Sequence, residues 1–590
     1  MRISLFYILA FIGLNNAFCQ PQPQLKFSED IRLNQIGFYP DAPKIAVTLG
    51  VSEGLFFISS PCLTDTLFKG RLGSERSAQY SSKSTRIADF SEFKKPGTYV
   101  LWVPQIGYSS QFSIKEKVHS ELATAAIKSY YYQRTLIPLT LEFAGKWSRP
   151  AGHPDDKVLV HASAATKKRP EGTVISAQRG WYDAGDYNKY IVNSGITMGT
   201  MLSFHEDFEK FSKQWKIDIP ESGNGVPDLL NELIWNLRWM LTMQDPNDGG
   251  VYHKLTTANF EGAVMPAEAR NTRYVVQKGT AASLDFAAVT AQAARILKNY
   301  NSQLPGLADS CLNASVKAWK WARKNPDILY KQDELNKNFK PTIATGAYGD
   351  GDVSDEFIWA AAELYVTTGD DTYYKSVNLF PDANTPLPAW PQVRTLAYYT
   401  LMRFADQLTP LGKKDIPSLK ARLLAFADDM LAGADTHTYH TVMGKNAGDF
   451  IWGSSSVAAN QGIGLIRAYS ISGERKYLDF ALHNLDYLLG RNGTTYSYVT
   501  GFGHKTPMHI HHRPSEADGV PDPVPGLLSG GPNPGMQDGC DYPSAIPDEA
   551  FVDDWCSYAS NEITINWNAP LVYLVAALEA LQYEAGYSSK

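Results

Sequence analysis

The rhythm of apolar and polar positions changes near residue 118. Before that point apolar residues come in short runs rich in β-branched and aromatic side chains: Ile31–Phe38, Lys44–Leu49, Leu55–Ile58, Thr98–Val103 and Gln111–Ile114. Turn formers such as Pro40-Asp41 and Pro96-Gly97 lie between them. Short strands punctuated by turns predict a small all-β sandwich over residues 26–115. Beyond Val118 the apolar period becomes helical. Leu229, Leu230, Leu233, Leu237, Met240 and Leu241 recur at helical spacing within Pro227–Gln244, with Pro227 where a first turn tolerates it. Similar runs occupy Ala281–Leu297, Asp355–Tyr365, Leu419–Ala432, Ser455–Tyr469, Lys476–Leu489 and Pro570–Tyr583. So many helices without intervening strands predict helix-on-helix packing over residues 118–585, as a bundle, a solenoid or a closed barrel. Two long stretches, Gly145–Lys189 and Arg491–Asn561, carry no such period, and long loops within a compact domain are usually functional.

Length and composition fit this multidomain picture. The chain has 590 residues, 44% of them hydrophobic and 20% charged, enough apolar material for two cores. A formal charge of −6 leaves no electrostatic footprint for nucleic acid or an anionic membrane surface. Residues 1–19 read as an export signal: Arg2, the apolar run Leu5–Leu14, then Ala17-Phe18-Cys19 before a cleavage point at Gln20. This run is too short to span a bilayer. A secreted or periplasmic protein is expected, and a lipid anchor on Cys19 is the rival reading. Four cysteines follow, Cys62, Cys311, Cys540 and Cys556, with no CxxC pair. Export permits a Cys540–Cys556 bridge, which the sequence leaves open.

Three segments carry candidate chemistry. Gly180–Tyr190 holds Asp183 and Asp186 on either side of Gly185, so two carboxylates can converge on one water, on a calcium ion, or on nothing but a capped turn. Ser497–Arg513 gathers His504, His509, His511, His512 and Arg513. The spacing matches neither a helical zinc pair nor a finger, and contact with sugar hydroxyls is the other reading. In Phe551–Ala569, Glu562 lies among Trp and Tyr residues where a loop meets a helix. Apolar surroundings raise a carboxyl pKa, as a general acid requires, whereas a plain helix-start Glu is the bland alternative.

Taken together and in this order, the three segments resemble the family 9 glycoside hydrolases, the cellulase family. Asn247–Lys254, Ser354–Trp359, Leu489–Asn492 and Pro525–Asn533 are similar to further stretches of that family, over roughly Val118–Tyr583. Asp30–Phe38 resembles the immunoglobulin-like module that precedes the catalytic domain in one branch. The resemblance implies an immunoglobulin-like sandwich followed by an (α/α)6 barrel, and an inverting hydrolase of β-1,4-glucan. Asp186 is then the general base, Asp183 helps hold the water, and Glu562 protonates the glycosidic oxygen. His511 and Arg513, with Trp181 and Tyr558 beside the two acidic segments, are expected at the substrate. No cofactor is required for the chemistry. A family calcium site is implied at Asp355 and Glu356 with Gly351 and Asp352, acidic helix capping being the alternative. The loop holding Gly152-His153-Pro154-Asp155-Asp156 lacks cysteine, which argues against the zinc site of some relatives. An endo-acting monomeric glucanase on soluble or amorphous glucan is expected, since the chain leaves no room for an appended cellulose-binding module. An exo-acting β-glucosidase or glucosaminidase, a non-catalytic glucan-binding protein and a zinc hydrolase on the four histidines are the alternatives.

Overall fold

A computed structural model describes residues 25–589; the expected signal segment, with Cys19, lies outside the described residues. The N-terminal domain is a two-sheet sandwich of the immunoglobulin type. One sheet runs Ile31–Arg32, Ile45–Leu49, Thr85–Asp89, Glu75–Arg76. The other runs Gly37–Phe38, Phe112–Ile114, Gly97–Val103, Leu55–Ser59, Phe68–Arg71, with Gly107–Tyr108 alongside Gly97–Val103. Phe38, Phe56, Phe90, Leu101 and Phe112 fill the space between them.

The second domain is an (α/α)6 barrel. Its inner helices pack in succession: Ile565–Leu581 against Ile191–Asp207, then Thr280–Leu297, Ser354–Thr368 and Arg394–Arg403, with Ser454–Ser472 returning to Ile565–Leu581. Leu307–Lys324 and Arg475–Leu488 are among the outer helices, each backing an inner one. The two layers differ for a physical reason. Outer helices show one apolar stripe, whereas Ile191–Asp207 is buried on every side from Ile191 to His205 and has no stripe to detect. Gly199 lets this helix sit close to its neighbour, because a Cβ there would lie 2.4 Å from the Trp359 ring.

The barrel also carries a small five-stranded sheet that the helical pattern did not predict. Its order is Val174–Ile175, Val158–Val160, Arg273–Val275, Lys254–Thr257, Lys189–Tyr190. These strands are two to four residues long and pair across distant loops, so no local periodicity announces them. The seam between domains absorbs two of the singled-out motifs. Asn34 donates to Asp486 Oδ1 at 2.8 Å, and the buried Arg491 donates to Asp486 Oδ2 and to the Ile45 carbonyl. Those motifs bind one domain to the other rather than to a ligand.

Candidate active site

The chain around Asp183–Asp186 is an irregular loop fixed by its backbone. Asp183 N–H donates to the Asn188 carbonyl, and Ile565 N–H donates to the Asp183 carbonyl. Gly185 is required for close approach: a Cβ there would lie 2.0 Å from the His511 carbonyl oxygen. The His511 backbone in turn bridges Glu562, and Ala184 bridges Thr564. Three segments far apart along the chain therefore meet, and Asp183, Asp186 and Glu562 line one cleft of about 650 Å3.

The carboxyl groups are held differently. Asn193 Nδ2 donates to both oxygens of Asp183, at 3.1 and 3.0 Å, and Tyr348 OH donates to its Oδ2 at 3.1 Å. Asp186 Oδ2 accepts from Asn188 Nδ2 and from Tyr190 OH, while its Oδ1 has no protein donor. That bare oxygen is the lone pair available to take a proton from water. Burial, with the Asp186 charge beside it, holds the Asp183 carboxyl well above the ordinary range. Glu562 is also pushed well above it, first by burial, then by repulsion from Asp186, against the pull of Arg513. A carboxyl whose pKa is raised, sharing a cleft with one that has a free lone pair, can serve as an acid and base set.

The other predicted residues divide. His511 Nδ1–H donates to the Trp555 carbonyl at 2.8 Å, and its ring stacks on Trp555 at 4.4 Å. Burial lowers its pKa, so the ring is neutral. Arg513 donates from Nε to the Glu261 carbonyl and from Nη1 to the Gly185 carbonyl, so it braces the base loop. Tyr558 is half-buried against Trp452 and His511. Trp181 is a correction: it is wholly buried, with Nε1–H on Glu232, and contacts no cleft. The four-histidine zinc constellation also fails. His504 and His509 are exposed, and His512 is buried on Gln133 and Ser515. The cleft walls are aromatic, with Trp390, Trp452, Trp567 and Tyr348. Sequence reasoning missed Tyr348, Trp390 and Trp452 because they sit outside the three singled-out segments, in loops without a motif.

The geometry matches the comparisons with known proteins. Residues 119–575 match the model of glycosyl hydrolase family 9, and residues 26–108 match the cellulase N-terminal ig-like domain. The chain belongs to glycoside hydrolase family 9. It is 47% identical over 590 residues to a xyloglucan-specific endo-β-1,4-glucanase of Bacteroides ovatus, covering 100% of this chain and 99% of that one. Endoglucanase D of Acetivibrio thermocellus is 33% identical over 557 residues, 93% of this chain and 83% of the relative. A solved structure of a Bacteroides ovatus family 9 protein superposes with a TM-score of 0.89 at 46% identity, covering 94% of this chain and 100% of the other. The protein is thus a family 9 glycoside hydrolase, whose chemistry needs no cofactor.

A second acidic cluster lies behind the cleft, at the start of Ser354–Thr368. Asp355 and Glu356 are buried there, joined by Asp285 and the half-buried Asp350, which the sequence did not single out. Both oxygens of Asp285, both of Glu356 and Oδ2 of Asp350 are buried without a donor. Asp355 Oδ2 accepts from Val393 N–H at 2.6 Å. Asp352 is exposed and accepts from Ser354 N–H at the helix start, and Gly351 is exposed beside it. These two were expected with the cation ligands, and both lie at the surface just before the helix. Among the described residues no three His, Cys, Asp or Glu side chains stand grouped at metal-ligand spacing. In the loop that precedes Tyr558, Cys540 and Cys556 form a disulfide.

Proposed function

We propose that the protein is an exported, inverting endo-β-1,4-glucanase whose substrate is a branched β-glucan of the xyloglucan type. The observation that carries the reaction is the shared cleft: Asp186 has an unpartnered oxygen to offer a water, and burial favours the protonated form of Glu562. Asp186 removes the water's proton as that water attacks the anomeric carbon from the face opposite the leaving group. Glu562 protonates the departing glycosidic oxygen, and the anomeric centre inverts. Asp183, held by Asn193 and Tyr348, orients the water's other lone pair or proton. The aromatic walls supply flat apolar faces for glucosyl rings. The full-length similarity to a xyloglucan-specific enzyme supports the substrate, and the basic and apolar start of residues 1–19 supports export.

Incubation with tamarind-type xyloglucan, carboxymethyl cellulose and mixed-linkage glucan tests this reading. The expected result is rapid viscosity loss, fastest on xyloglucan, with α-configured new reducing ends by NMR. Release of short sugars without viscosity loss would make it exo-acting, and equal rates on all three polymers would remove the xyloglucan assignment.

A structural calcium at Asp285, Asp350, Asp355 and Glu356 belongs to the same proposal. What supports this reading is five buried carboxylate oxygens without donors, the ligand type that a hard cation takes. Such an ion would supply charge compensation to the fold and takes no part in bond cleavage.

A further inference from the structure

Lys254 opens the strand Lys254–Thr257, and its backbone pairs with Tyr190 on the strand that leaves the base loop. The side chain is fully buried. Its ammonium donates to the Gly346 carbonyl at 2.6 Å, Thr345 Oγ1 at 3.0 Å and Gln332 Oε1 at 2.7 Å. None of these acceptors is a carboxylate. Burying an ammonium against neutral dipoles is costly unless a counter-charge lies near. The acidic group that acts on this one is Asp186, which opposes the downward push of burial that leaves Lys254 at about 7.

The same side chain touches both halves of the base apparatus. Its Nζ lies 5.5 Å from the Tyr190 ring centroid, and Tyr190 OH donates to Asp186 Oδ2. The Gly346 carbonyl that it grips is two residues before Tyr348, whose OH donates to Asp183 Oδ2. The two tyrosine rings meet edge to face at 4.8 Å. We propose that Lys254 is a positioning residue for hydrolysis: its buried ammonium grips the Thr345–Gly346 backbone and the Tyr190 ring, and so locks the Tyr190 and Tyr348 hydroxyls onto the aspartate pair. This role rests on Asp186 being the base.

The other charged and titratable groups around the site have partners of their own. His253, next in sequence, stacks on Tyr330 and binds the Ala347 carbonyl, and burial pushes it down to about 3, so it is neutral. Lys189 and Arg273, on the neighbouring strands, are ion-paired with Asp155. Arg513 acts on Glu562, and Asp183 and Glu562 add only negative charge when ionised.

The test is kcat and KM for K254M, K254Q and K254R on xyloglucan, with folding checked by circular dichroism. Losing the grip on the Thr345–Gly346 backbone should lower kcat roughly tenfold in K254M, with KM within about twofold, because the tyrosine hydroxyls orient the aspartates rather than the sugar. K254Q stands in if K254M does not fold, and K254R, which keeps a cationic donor, should recover most of the lost kcat. Unchanged kcat in K254M and K254Q, a loss as large in K254R, or a rise in KM at constant kcat would overturn the proposal. D186N is measured beside them: full activity there would overturn the base assignment itself, whereas an inactive D186N with unchanged kcat in K254M removes only the role of Lys254.

Discussion

Two groups of buried carboxyls lie within one barrel, and they are held in opposite ways. At the cleft, Asp183 and Asp186 together accept from Asn193, Tyr348, Asn188 and Tyr190, leaving Asp186 Oδ1 as the unpartnered aspartate oxygen. Behind it, Asp285 and Glu356 have no donor on any oxygen. Burial and mutual repulsion raise the pKa of Asp285, Asp350, Asp355 and Glu356 alike. Crowded acids are therefore not by themselves a catalytic signature. Donors that fix all but one oxygen make a directed base, whereas a cluster with most of its oxygens bare needs either protons or a cation.

The sharpest break of this contrast is Glu562→Gln. An amide cannot protonate a leaving oxygen, so turnover on unactivated glucan should fall on the order of 10²–10⁴-fold with binding retained. The alkaline limb is the companion measurement. Glu562 is active protonated and its pKa is raised, so activity is lost as pH rises through that pKa. An aryl glycoside with a good leaving group should hold more activity in the variant and lose that limb. Unchanged turnover would move the acid elsewhere.

The second cluster makes the next largest prediction, read in thermal stability. Raised pKa values mean that the folded state holds protons the unfolded chain would release. That stability is present at low pH and is lost as pH rises through the folded-state values. In chelator, the melting temperature should drop as pH climbs above the ordinary carboxyl range. Added calcium should raise it by several degrees and flatten the drop, because an ion that binds only the folded state stabilises it. Asp285→Asn should weaken the calcium response while leaving the cleft residues in place. A melting temperature indifferent to calcium at every pH would end the cation reading.

The contrast also explains what the sequence could and could not disclose. Asp183, Asp186 and Glu562 were legible because each sits in a local motif, and the helical period located outer elements such as Arg475–Leu488. Asp285 and Tyr348 were not, because each reaches its partners from a distant helix or loop with nothing beside it in sequence to mark it. Ile191–Asp207 was invisible for another reason, since its buried positions include Asn193, Ser194, Thr197, Thr200 and Ser203, which break up the apolar period. In the N-terminal domain, Phe68–Arg71 alternates between half-buried and exposed positions, too faint a pattern to stand out. Trp181 misled because nearness to a catalytic motif in sequence says nothing about which way a ring points; this one points into the barrel wall, onto Glu232.

The finest test removes one donor from the cleft and so makes it resemble the bare cluster slightly. Tyr348→Phe deletes the hydroxyl that donates to Asp183 Oδ2 at 3.1 Å while leaving the ring against Tyr190 and Trp390. That hydrogen bond favours the ionised form of Asp183, so its loss moves the carboxyl further up. A hydrogen bond to a charged group contributes about 1.5–3 kcal/mol, and Asn193 still holds both oxygens, so the loss should sit near the lower end. About a tenfold fall in kcat follows, with KM little changed, because the hydroxyl orients the water carboxylate rather than the sugar. A rise in KM at constant kcat would instead make Tyr348 OH a substrate contact, and the aspartate pair would then owe its geometry to Asn193, Asn188 and Tyr190 alone.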